Sequence, residues 1–257
     1  MLEVNAISKE FRGLKAIDDV SFDVPKGSIT SLIGPNGAGK TTLINVITGV
    51  LAPTHGSVRL NDAALNGKRP HAIARSGVGR TFQTVRLFNG LTVQENLEIG
   101  QFKDLVRRGS FLSAIANTVS PMFLGDATGR ARAQELMAMF DLTHLANEIA
   151  TDLPYGTQRR VEIARALMGS PKLLLLDEPA AGMNEAETAK LVEDVRAIRA
   201  SGVTVFLVEH DMSMVMSVSD KVVVLNFGKK IAEGSPEVVQ KDPEVILSYL
   251  GDDSDHD

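Results

Sequence analysis

A glycine-rich stretch that joins an apolar strand pattern to an apolar helix pattern constrains the fold most strongly. Ser28–Ile33 has the pattern of a strand, and an apolar helical stretch runs on to Ile47. Between them, Gly34–Thr41 matches the spacing G-x-x-x-x-G-K-[ST]. A strand, a glycine loop and a helix in this order predict a unit that binds phosphate groups.

The chemistry of this loop favours the phosphates of a nucleotide. Its glycines let backbone N–H groups converge on phosphate oxygens, and the start of the helix adds a favourable dipole. Lys40 is expected to reach the β- and γ-phosphates, and Thr41 to offer its hydroxyl to Mg²⁺, which prefers oxygen ligands. A chance match arises in roughly one chain of this length in a hundred. The predicted nucleotide-binding residues of the loop are Gly34, Pro35, Asn36, Gly37, Ala38, Gly39, Lys40, Thr41 and Thr42.

Charge and composition argue against several other classes of protein. The 257-residue chain carries 27 Lys and Arg against 32 Asp and Glu, so its net charge of -5 gives no bulk electrostatic reason to bind nucleic acid. The absence of cysteine excludes disulfides and thiolate metal sites. No apolar run approaches the roughly 18 residues of a membrane-spanning helix. The first residues lack the basic start and apolar stretch of a secretory signal, so we expect no export.

Apolar patterns along the rest of the chain alternate between strands and helices around a central helical stretch. From about residue 92 to residue 168 the pattern is mainly helical, most clearly at Ala131–Phe140 and Arg159–Met168. A helix near Glu185–Ala200 then separates strands, which is the alternation of a parallel sheet. The helical part is therefore predicted to be an insertion. The predicted strands are Leu2–Phe11, Val20–Val24, Ser57–Leu60, Leu173–Leu176, Val203–Val208 and Val222–Leu225.

Two adjacent acids end the most apolar of these strands. Asp177 and Glu178 follow Leu173–Leu176, and charges at the buried end of a strand contribute nothing to its packing. In a doubly wound sheet, ligands bind at the strand C-termini. Asp177 is suited to hold Mg²⁺ through its water shell, and Glu178 to accept a proton from the water that attacks the γ-phosphate. An ordinary strand-end turn made by Asp-Glu-Pro is the alternative interpretation.

These motifs, with further elements in the same order, resemble the ATP-binding cassette (ABC) family of transporter ATPases over about Leu2 to Gly251. The resemblance implies an α/β P-loop NTPase fold with a RecA-like core, an antiparallel β subdomain and a helical subdomain inserted at about residues 92–168. It also implies a single ABC ATPase domain over residues 1–250, followed by a flexible acidic tail at 251–257. The implied cofactors are ATP and Mg²⁺. A GTPase is disfavoured because the chain has no Asn-Lys-x-Asp motif.

Three single residues resemble functional positions of the family, and each has a simpler alternative. Gln83, in Arg-Thr-Phe-Gln, resembles the glutamine that contacts Mg²⁺ and the attacking water, although a solvated loop amide has the same pattern. His210, in Val-Glu-His-Asp, resembles the switch histidine that contacts the γ-phosphate, whereas an isolated histidine there usually has a structural hydrogen bond. Phe11 resembles the aromatic residue that stacks on adenine, or packs in the core of a strand.

The family's signature, Leu-Ser-Gly-Gly-Gln, is altered in this chain. It aligns with Leu153–Thr157, where Pro154 has neither the serine hydroxyl nor a backbone N–H. Tyr155, Gly156 and Thr157 therefore remain as the implied contacts to ATP on the opposite subunit, helped by the start of the following helix. Asn184 stands where the family usually has an aspartate, and its amide keeps the capacity for hydrogen bonding but not the charge.

Within the family, several stretches resemble the ATPases of branched-chain amino acid uptake. The resemblance implies work with two membrane-embedded permease subunits and a second ATPase subunit, either identical or related, and indirectly with a periplasmic or extracellular solute-binding protein. The implied location is the cytoplasmic face of the inner membrane, as a peripheral protein. The stretches that carry this resemblance are Ile47–Gly49, Arg80–Phe88, Tyr155–Gly156, Gln158–Arg165, Glu178–Gly182 and Tyr249–Gly251.

Other functions and one further segment stay open at this point. An ABC ATPase for urea or lipopolysaccharide shares parts of the pattern, and a soluble cassette that acts on DNA or ribosomes is a second rival. A regulatory subunit with little hydrolysis is a third, because of Pro154. Gln101–Gly125 has the pattern of a basic amphipathic helix, which either contacts the permease or membrane or packs within the helical subdomain. Met212, Met214 and Met216 are expected to fill the core.

Overall fold

The computed structural model describes residues 1–100 and 127–250 of the chain. The helix expected within Gln101–Gly125 and the tail expected at 251–257 lie outside the described residues. The strands are β1 Leu2–Phe11, β2 Leu14–Val24, β3 Ile29–Ile33, β4 His55–Leu60, β5 Ala63–Ala64, β6 Val78–Arg80, β7 Leu173–Asp177, β8 Thr204–Val208, β9 Lys221–Asn226 and β10 Lys229–Gly234. The helices are α1 Lys40–Ile47, α2 Pro70–Arg75, α3 Val93–Ile99, α4 Ala127–Met139, α5 Tyr155–Leu167, α6 Glu185–Ala200, α7 Met212–Val218, α8 Pro236–Val239 and α9 Pro243–Leu250.

A six-stranded, mainly parallel sheet forms the centre of the described structure, in the order β10-β9-β3-β8-β7-β6. Strand β3 pairs in parallel with both β8 and β9, and β10 alone pairs antiparallel, with β9. The uninterrupted apolar run of β7 reflects burial of both its faces, as expected in a parallel sheet. Leu173 and Leu175 pack into the same core as α1, whereas Leu174 and Leu176 pack into the core that contains α5 and α6. The prediction of a parallel α/β core is confirmed.

A smaller antiparallel sheet, in the order β2-β1-β4-β5, packs against the α1 side of the same core. Its second strand begins at Leu14, whereas the alternating pattern indicated only Val20–Val24. The reason is local irregularity: the pairing of β1 with β2 shifts register, and Asp19 has a φ of 56° with its backbone N–H bonded to Ser8 Oγ at 3.0 Å. Such bulges interrupt the period-two pattern by which a strand is recognised.

Helices α3, α4 and α5 follow β6 and precede β7, and they contact one another. Their shared apolar core includes Leu97, Leu136, Phe140 and Val161, all buried. Helix α3 begins with a capping box, in which the Thr92 side chain and the Glu95 side chain each bond the other residue's backbone N–H. The described residues agree with a helical stretch at this point of the chain. Helix α6 has the bounds predicted for it, Glu185–Ala200.

Candidate functional site

Four neighbouring parallel strands bring the predicted site residues to one edge of the central sheet. Strand β3 leads into the glycine loop, and its neighbour β8 leads into His210. The next strand, β7, ends at Asp177 and is followed by Glu178, while β6 at the end of this row leads to Gln83. Since all four strands are parallel, their C-terminal ends lie at the same edge, where ligands bind in open α/β sheets.

The backbone of the glycine loop needs residues without a side chain. Gly34 has a φ of 151°, and a Cβ there would lie 2.2 Å from the carbonyl oxygen of Leu225. Gly39 has a φ of 102°, and a Cβ there would meet the carbonyl oxygen of Ala16 at 2.7 Å. Helix α1 then starts at Lys40 with no side-chain cap and no acidic residue in its first turn. The uncapped N–H groups at this helix start suit an anion such as phosphate.

Lys40, the first residue of α1, is buried next to the glycine loop. Its Nζ donates to the carbonyl oxygens of Gly34 at 2.5 Å and Pro35 at 2.9 Å. Burial lowers the pKa of the Lys40 ammonium, and the nearby Glu178 carboxylate acts in the opposite direction. The Lys40 ammonium can exchange its hydrogen bonds to these two carbonyls for hydrogen bonds to the oxygens of a bound phosphate group. The neighbouring Thr41 is exposed at the helix start.

Asp177 is a buried carboxylate with a partner that the sequence analysis did not assign. Arg80 Nη2 lies 3.1 Å from Asp177 Oδ2, and Arg80 Nη1 donates to Asn45 Oδ1 at 3.0 Å and Thr48 Oγ1 at 2.8 Å. Burial raises the pKa of Asp177, against the opposing effects of the hydrogen bond and charge of Arg80. Arg80 thus joins the last residue of β7 to the helix that follows the glycine loop.

Glu178 lies one residue beyond the strand in a conformation that is uncommon for a residue with a side chain. Its φ is 47°, and its backbone N–H donates to the carbonyl oxygen of Val208 at 2.8 Å. Its Oε2 accepts a hydrogen bond of 2.8 Å from Nε2 of Gln83. The turn therefore places the Glu178 carboxylate within hydrogen-bond distance of the Gln83 amide. Backbone strain of this kind is found at functional sites in many proteins.

His210 follows β8 and its side chain is 60% exposed. Glu209, directly before it, is fully buried and accepts backbone N–H groups from Ala180 at 2.7 Å and His210 at 3.0 Å. Burial raises the pKa of Glu209, and these backbone hydrogen bonds oppose that shift. The buried carboxylate thus links the segment after Glu178 to the backbone of His210. The exposed imidazole remains available to a ligand.

Phe11 ends β1 in the hairpin with β2, and the residue is 41% exposed. Lys9 Nζ lies 5.0 Å from the centre of this ring. Further along β2, Ile17 lies close enough to Gly39 that a Cβ there would meet Ile17 Cδ1 at 2.6 Å. The hairpin that carries Phe11 therefore packs on the glycine loop, with part of the ring uncovered. This placement agrees better with a ligand contact than with the alternative of a core residue.

The residues aligned with the signature form the start of α5. Pro154 precedes the helix and gives no side-chain cap, so the first N–H groups, at Tyr155 to Thr157, have no partner within the helix. Gly156 is buried, and a Cβ there would meet Glu187 Oε1 at 2.6 Å. Asn184 caps α6 by accepting the backbone N–H of Glu187 at 3.0 Å. The amide at position 184 therefore has a structural role at the start of a helix.

The described residues contain no cluster of three or more His, Asp or Glu side chains that would hold a metal ion alone. A hard cation at this site would instead share a few protein oxygens with the nucleotide's phosphates, as Mg²⁺ commonly does. The exposed Thr41 hydroxyl, the Asp177 carboxylate and the Gln83 side chain fit that donor set. In residues 1–100 and 127–250, no helix is both long and apolar enough to cross a bilayer.

Several buried charged residues that contact the site residues or their segments were not assigned a role from the sequence. Arg80 lies near Gln83 in sequence, and Glu209 lies next to His210. The sequence alone does not show which group such a charged side chain contacts. Arg159 and Glu162 are both buried and form an ion pair of 2.8 Å on α5. The two opposite charges are three residues apart on a helix face that is otherwise apolar. This spacing could have indicated a buried ion pair.

Comparisons with known proteins agree with this architecture. The model of the ABC transporter family matches residues 17–181, and that of the branched-chain amino acid ATP-binding cassette transporter family matches residues 229–255. The chain is 44% identical over 254 residues to the high-affinity branched-chain amino acid transport ATP-binding protein BraF of Pseudomonas aeruginosa, with 98% of each protein covered. It is likewise 44% identical over 254 residues to LivG of Escherichia coli K12, again with 98% of each covered.

Solved structures show the same fold. The ADP conformation of MJ1267, an ATP-binding cassette of an ABC transporter, superposes with a TM-score of 0.85 at 35% identity and covers 98% of both chains. A dimeric structure of the bacterial ABC transporter cassette MJ0796 has a TM-score of 0.75 at 25% identity and covers 92% of this chain and 99% of its own. Because a family model matches more than half of its length and near-full-length relatives share its sequence, the chain belongs to the ABC transporter family as an ATP-binding cassette.

Proposed function

We propose that this chain is the ATP-hydrolysing subunit of an ABC importer for branched-chain or related amino acids. The observation that carries the catalytic part is the hydrogen bond of 2.8 Å between Gln83 and Glu178, next to the buried Lys40 of the glycine loop. It joins a carboxylate to the amide that the family places beside the attacking water. Residues 1–250 would form one cassette, with the helices at about 92–168 as its insertion.

Each residue of the site has a role that follows from its chemistry. Lys40 and the N–H groups at the start of α1 bind and neutralise the phosphates. Glu178 accepts a proton from the attacking water, and Gln83 orients both the carboxylate and that water. His210, exposed beyond β8, donates to the γ-phosphate as charge develops on it. The partly uncovered ring of Phe11 stacks on the base.

Thr41, Asp177 and Gln83 would hold Mg²⁺ at this site. When bound, the ion neutralises charge on the β- and γ-phosphate oxygens. Arg80 holds the Asp177 carboxylate next to α1, where it would be placed to bind Mg²⁺. The proposed cofactors are therefore ATP and Mg²⁺.

The site is complete only when a second ATPase subunit joins it. The N–H groups of Tyr155, Gly156 and Thr157 start an uncapped helix, and no side chain in residues 1–100 and 127–250 caps them with a hydrogen bond. We therefore propose a dimer, with an identical or a related chain, in which this turn faces the nucleotide of the other subunit. Two membrane permeases would hold the dimer at the cytoplasmic face of the inner membrane, and a solute-binding protein would deliver the solute.

The solute class is proposed from the relatives. Those at 44% identity over 98% of their length are named for high-affinity branched-chain amino acid transport, and the C-terminal residues 229–255 match a model of that group. Nothing in an ATPase that lies outside the membrane contacts the solute itself. The proposal for the solute therefore rests on likeness, and the proposal for hydrolysis on the geometry of the site.

The solute class can be tested by uptake into cells that lack this gene. We expect the wild-type chain to restore the uptake of radiolabelled leucine, isoleucine and valine, and the Lys40→Ala variant to restore none of it. Labelled urea serves as the control solute. Restored uptake of urea without any effect on the three amino acids would contradict the proposed solute class and leave the ATPase assignment in place.

A further inference from the structure

Tyr155, the first residue of α5, has its side chain directed to its own chain. Its hydroxyl accepts a hydrogen bond of 3.1 Å from Nη2 of Arg159, one helical turn further on. Its ring lies against Gly182, where an added Cβ would be 3.5 Å from Cε1 of the tyrosine. The signature of the family has a glycine at the position of Tyr155, which could make neither contact. The substitution therefore adds a connection to the signature turn, which we define as residues Tyr155–Thr157.

Arg159 continues this connection into the segment that carries Gln83. The guanidinium is fully buried, and its Nη1 donates to the carbonyl oxygen of Phe82 at 2.6 Å and to Glu162 Oε2 at 2.8 Å. Its Nη2 donates to the carbonyl oxygen of Gln83 at 2.5 Å as well as to Tyr155. A planar guanidinium that makes several hydrogen bonds from one buried position holds its partners in a defined geometry.

Gln83 connects Arg159 to Glu178, because its backbone makes one hydrogen bond and its side chain makes the other. The backbone carbonyl is held by Arg159, and the side-chain amide donates to Glu178 at 2.8 Å. A continuous series of hydrogen bonds thus runs from Tyr155 through Arg159 and Gln83 to the proposed catalytic carboxylate. All of these contacts lie within one chain.

The signature turn is also packed against the segment that follows Glu178. Gly156 lies so close to Glu187 that a Cβ would meet its carboxylate at 2.6 Å, and Glu187 closes the capping box of α6 with Asn184. A displacement of the turn would therefore displace Gln83 through Arg159. It would also displace the start of α6, which the turn contacts directly. Tightly packed interfaces of this kind transmit small shifts because they do not deform continuously.

We propose that Tyr155 and Arg159 are positioning residues that connect the signature turn to Gln83, and through it to Glu178 of the same chain. The inference rests on the proposed function, in which the turn faces the nucleotide of a second ATPase subunit. Engagement of the turn by that nucleotide then orients the carboxylate that acts on this chain's own ATP. The altered signature thereby links the two sites by a route that the missing serine hydroxyl does not provide.

The test is a double-mutant cycle with Tyr155→Phe and Gln83→Leu in the full-length chain assembled with its partner subunits. Tyr155→Phe keeps the ring against Gly182 and removes only the hydroxyl. We expect it to lower the kcat of Mg²⁺-ATP hydrolysis about tenfold, the value of one hydrogen bond to a charged group, with the KM for ATP changed less than about twofold. In the Gln83→Leu background the same substitution should change kcat by less than about twofold, because the connection is already broken.

Arg159→Lys is the second variant, since it keeps the charge but has a single ammonium with three donors, which cannot bond all four partners of the guanidinium. It should lower kcat at least as much as Tyr155→Phe, without a further effect in the Gln83→Leu background. Arg160→Lys is its matched control, because Arg160 is the next residue of the helix and binds Asp194 and the carbonyl of Phe140 instead. Unfolding midpoints show which variants are folded, and Tyr155→Phe carries the test if Arg159→Lys does not fold.

Independent effects of Tyr155→Phe and Gln83→Leu, which multiply in the double variant, would overturn the proposal. A higher KM for ATP with unchanged kcat would also overturn it, because Tyr155 would then act as a direct contact to nucleotide. The Glu178→Gln variant separates these outcomes from a failure of the proposed function. If Glu178→Gln leaves hydrolysis unchanged, the catalytic assignment and the positioning role both fail; if it abolishes hydrolysis and the cycle is multiplicative, only the positioning role fails.

Discussion

Nε2 of Gln83 donates to Oε2 of Glu178 across 2.8 Å, although the two residues are 95 positions apart in the chain. The contact joins the loop after β6 to the turn after β7, which are neighbouring parallel strands. A water molecule bound between these two groups would have an acceptor for its proton on one side and an amide that orients it on the other. Loss of the amide should therefore affect turnover rather than binding.

Gln83→Leu should lower the kcat of ATP hydrolysis at least about tenfold, because the carboxylate loses the partner that orients it. The dissociation constant for ATP measured without Mg²⁺ should stay within about twofold, since in the described residues Gln83 makes its hydrogen bond to Glu178, whereas Lys40 bonds the glycine loop. Steady-state kinetics and calorimetric titration measure the two quantities. Thr84→Val, an exposed substitution of similar size at the next position, is the control. A large loss of ATP affinity in Gln83→Leu would contradict this assignment.

Gly34→Ala should destabilise the fold and abolish nucleotide binding together. The new Cβ would lie 2.2 Å from the Leu225 carbonyl oxygen, and a backbone atom cannot move aside as a side chain can. We expect a loss of more than about 2 kcal/mol in the free energy of unfolding. Gly37→Ala is the matched control within the loop, because its φ of 77° is also positive but no atom lies within 4 Å. That variant should lose only about 1 kcal/mol, as measured by urea denaturation; equal losses would refute the steric explanation.

Arg80→Met should cost stability because it leaves the buried Asp177 carboxylate without its cationic partner. The two side chains are only 14% and 8% exposed, and loss of one partner from such a pair costs about 3 kcal/mol. Arg199→Met removes the partner of Asp220 in a pair of 2.8 Å whose side chains are 46% and 34% exposed. This surface pair should contribute about 0.5 kcal/mol. Urea unfolding of both variants compares the two environments, and similar losses would count against the buried role of Arg80.

The stability of the protein at alkaline pH should depend on Tyr249 in α9. Its hydroxyl oxygen is buried without a well-formed hydrogen bond, and burial raises the pKa of Tyr249 to about 12, slightly opposed by the nearby Gly34 amide. In the unfolded chain the phenol ionises near pH 10. The unfolded state thus releases this proton first, so the contribution of Tyr249 is present below pH 10 and is lost as pH rises toward 12.

The Tyr249→Phe variant lacks this ionisation and is therefore the reference for the wild-type protein. The free energy of unfolding of wild type minus that of Tyr249→Phe should be constant between pH 7 and about 9 and should decrease between pH 10 and 11. The ionisation of lysines occurs in both proteins and cancels in the difference. A difference that does not change across this range would show that the phenol is not held in its neutral form by the fold.

The glycine loop and the two acids at the end of β7 could be predicted from sequence because their spacing is local and their chemistry is shared by many nucleotide-binding proteins. The parallel sheet followed from long apolar runs, and α6 from its helical pattern, with the predicted bounds. Strand β2 was predicted too short because bulges near Asp19 disturb its alternation. Local patterns therefore identified the central strands of the parallel sheet, whereas the outer strands β6 and β10 were not predicted.

The supporting contacts of the site could not be predicted, because each joins residues that are distant in sequence. Arg80 meets Asp177 across 97 positions, and Arg159 meets Gln83 across 76. Glu209 is visible in the sequence as the residue before His210. Its hydrogen bond from the Ala180 backbone, however, depends on the pairing of β7 with β8. Sequence patterns show which chemical groups are present, whereas the sheet order decides which of them meet.

The Glu178→Gln substitution tests the central claim of ATP hydrolysis most directly. The amide keeps the shape of the side chain and cannot accept the proton of the attacking water, so the release of phosphate from Mg²⁺-ATP by the assembled protein should fall at least about 100-fold. ATP binding should persist, and the ATP-bound dimer should accumulate in size-exclusion chromatography. Unchanged phosphate release from the Glu178→Gln protein would contradict the account, because Glu178 could not then be the catalytic base.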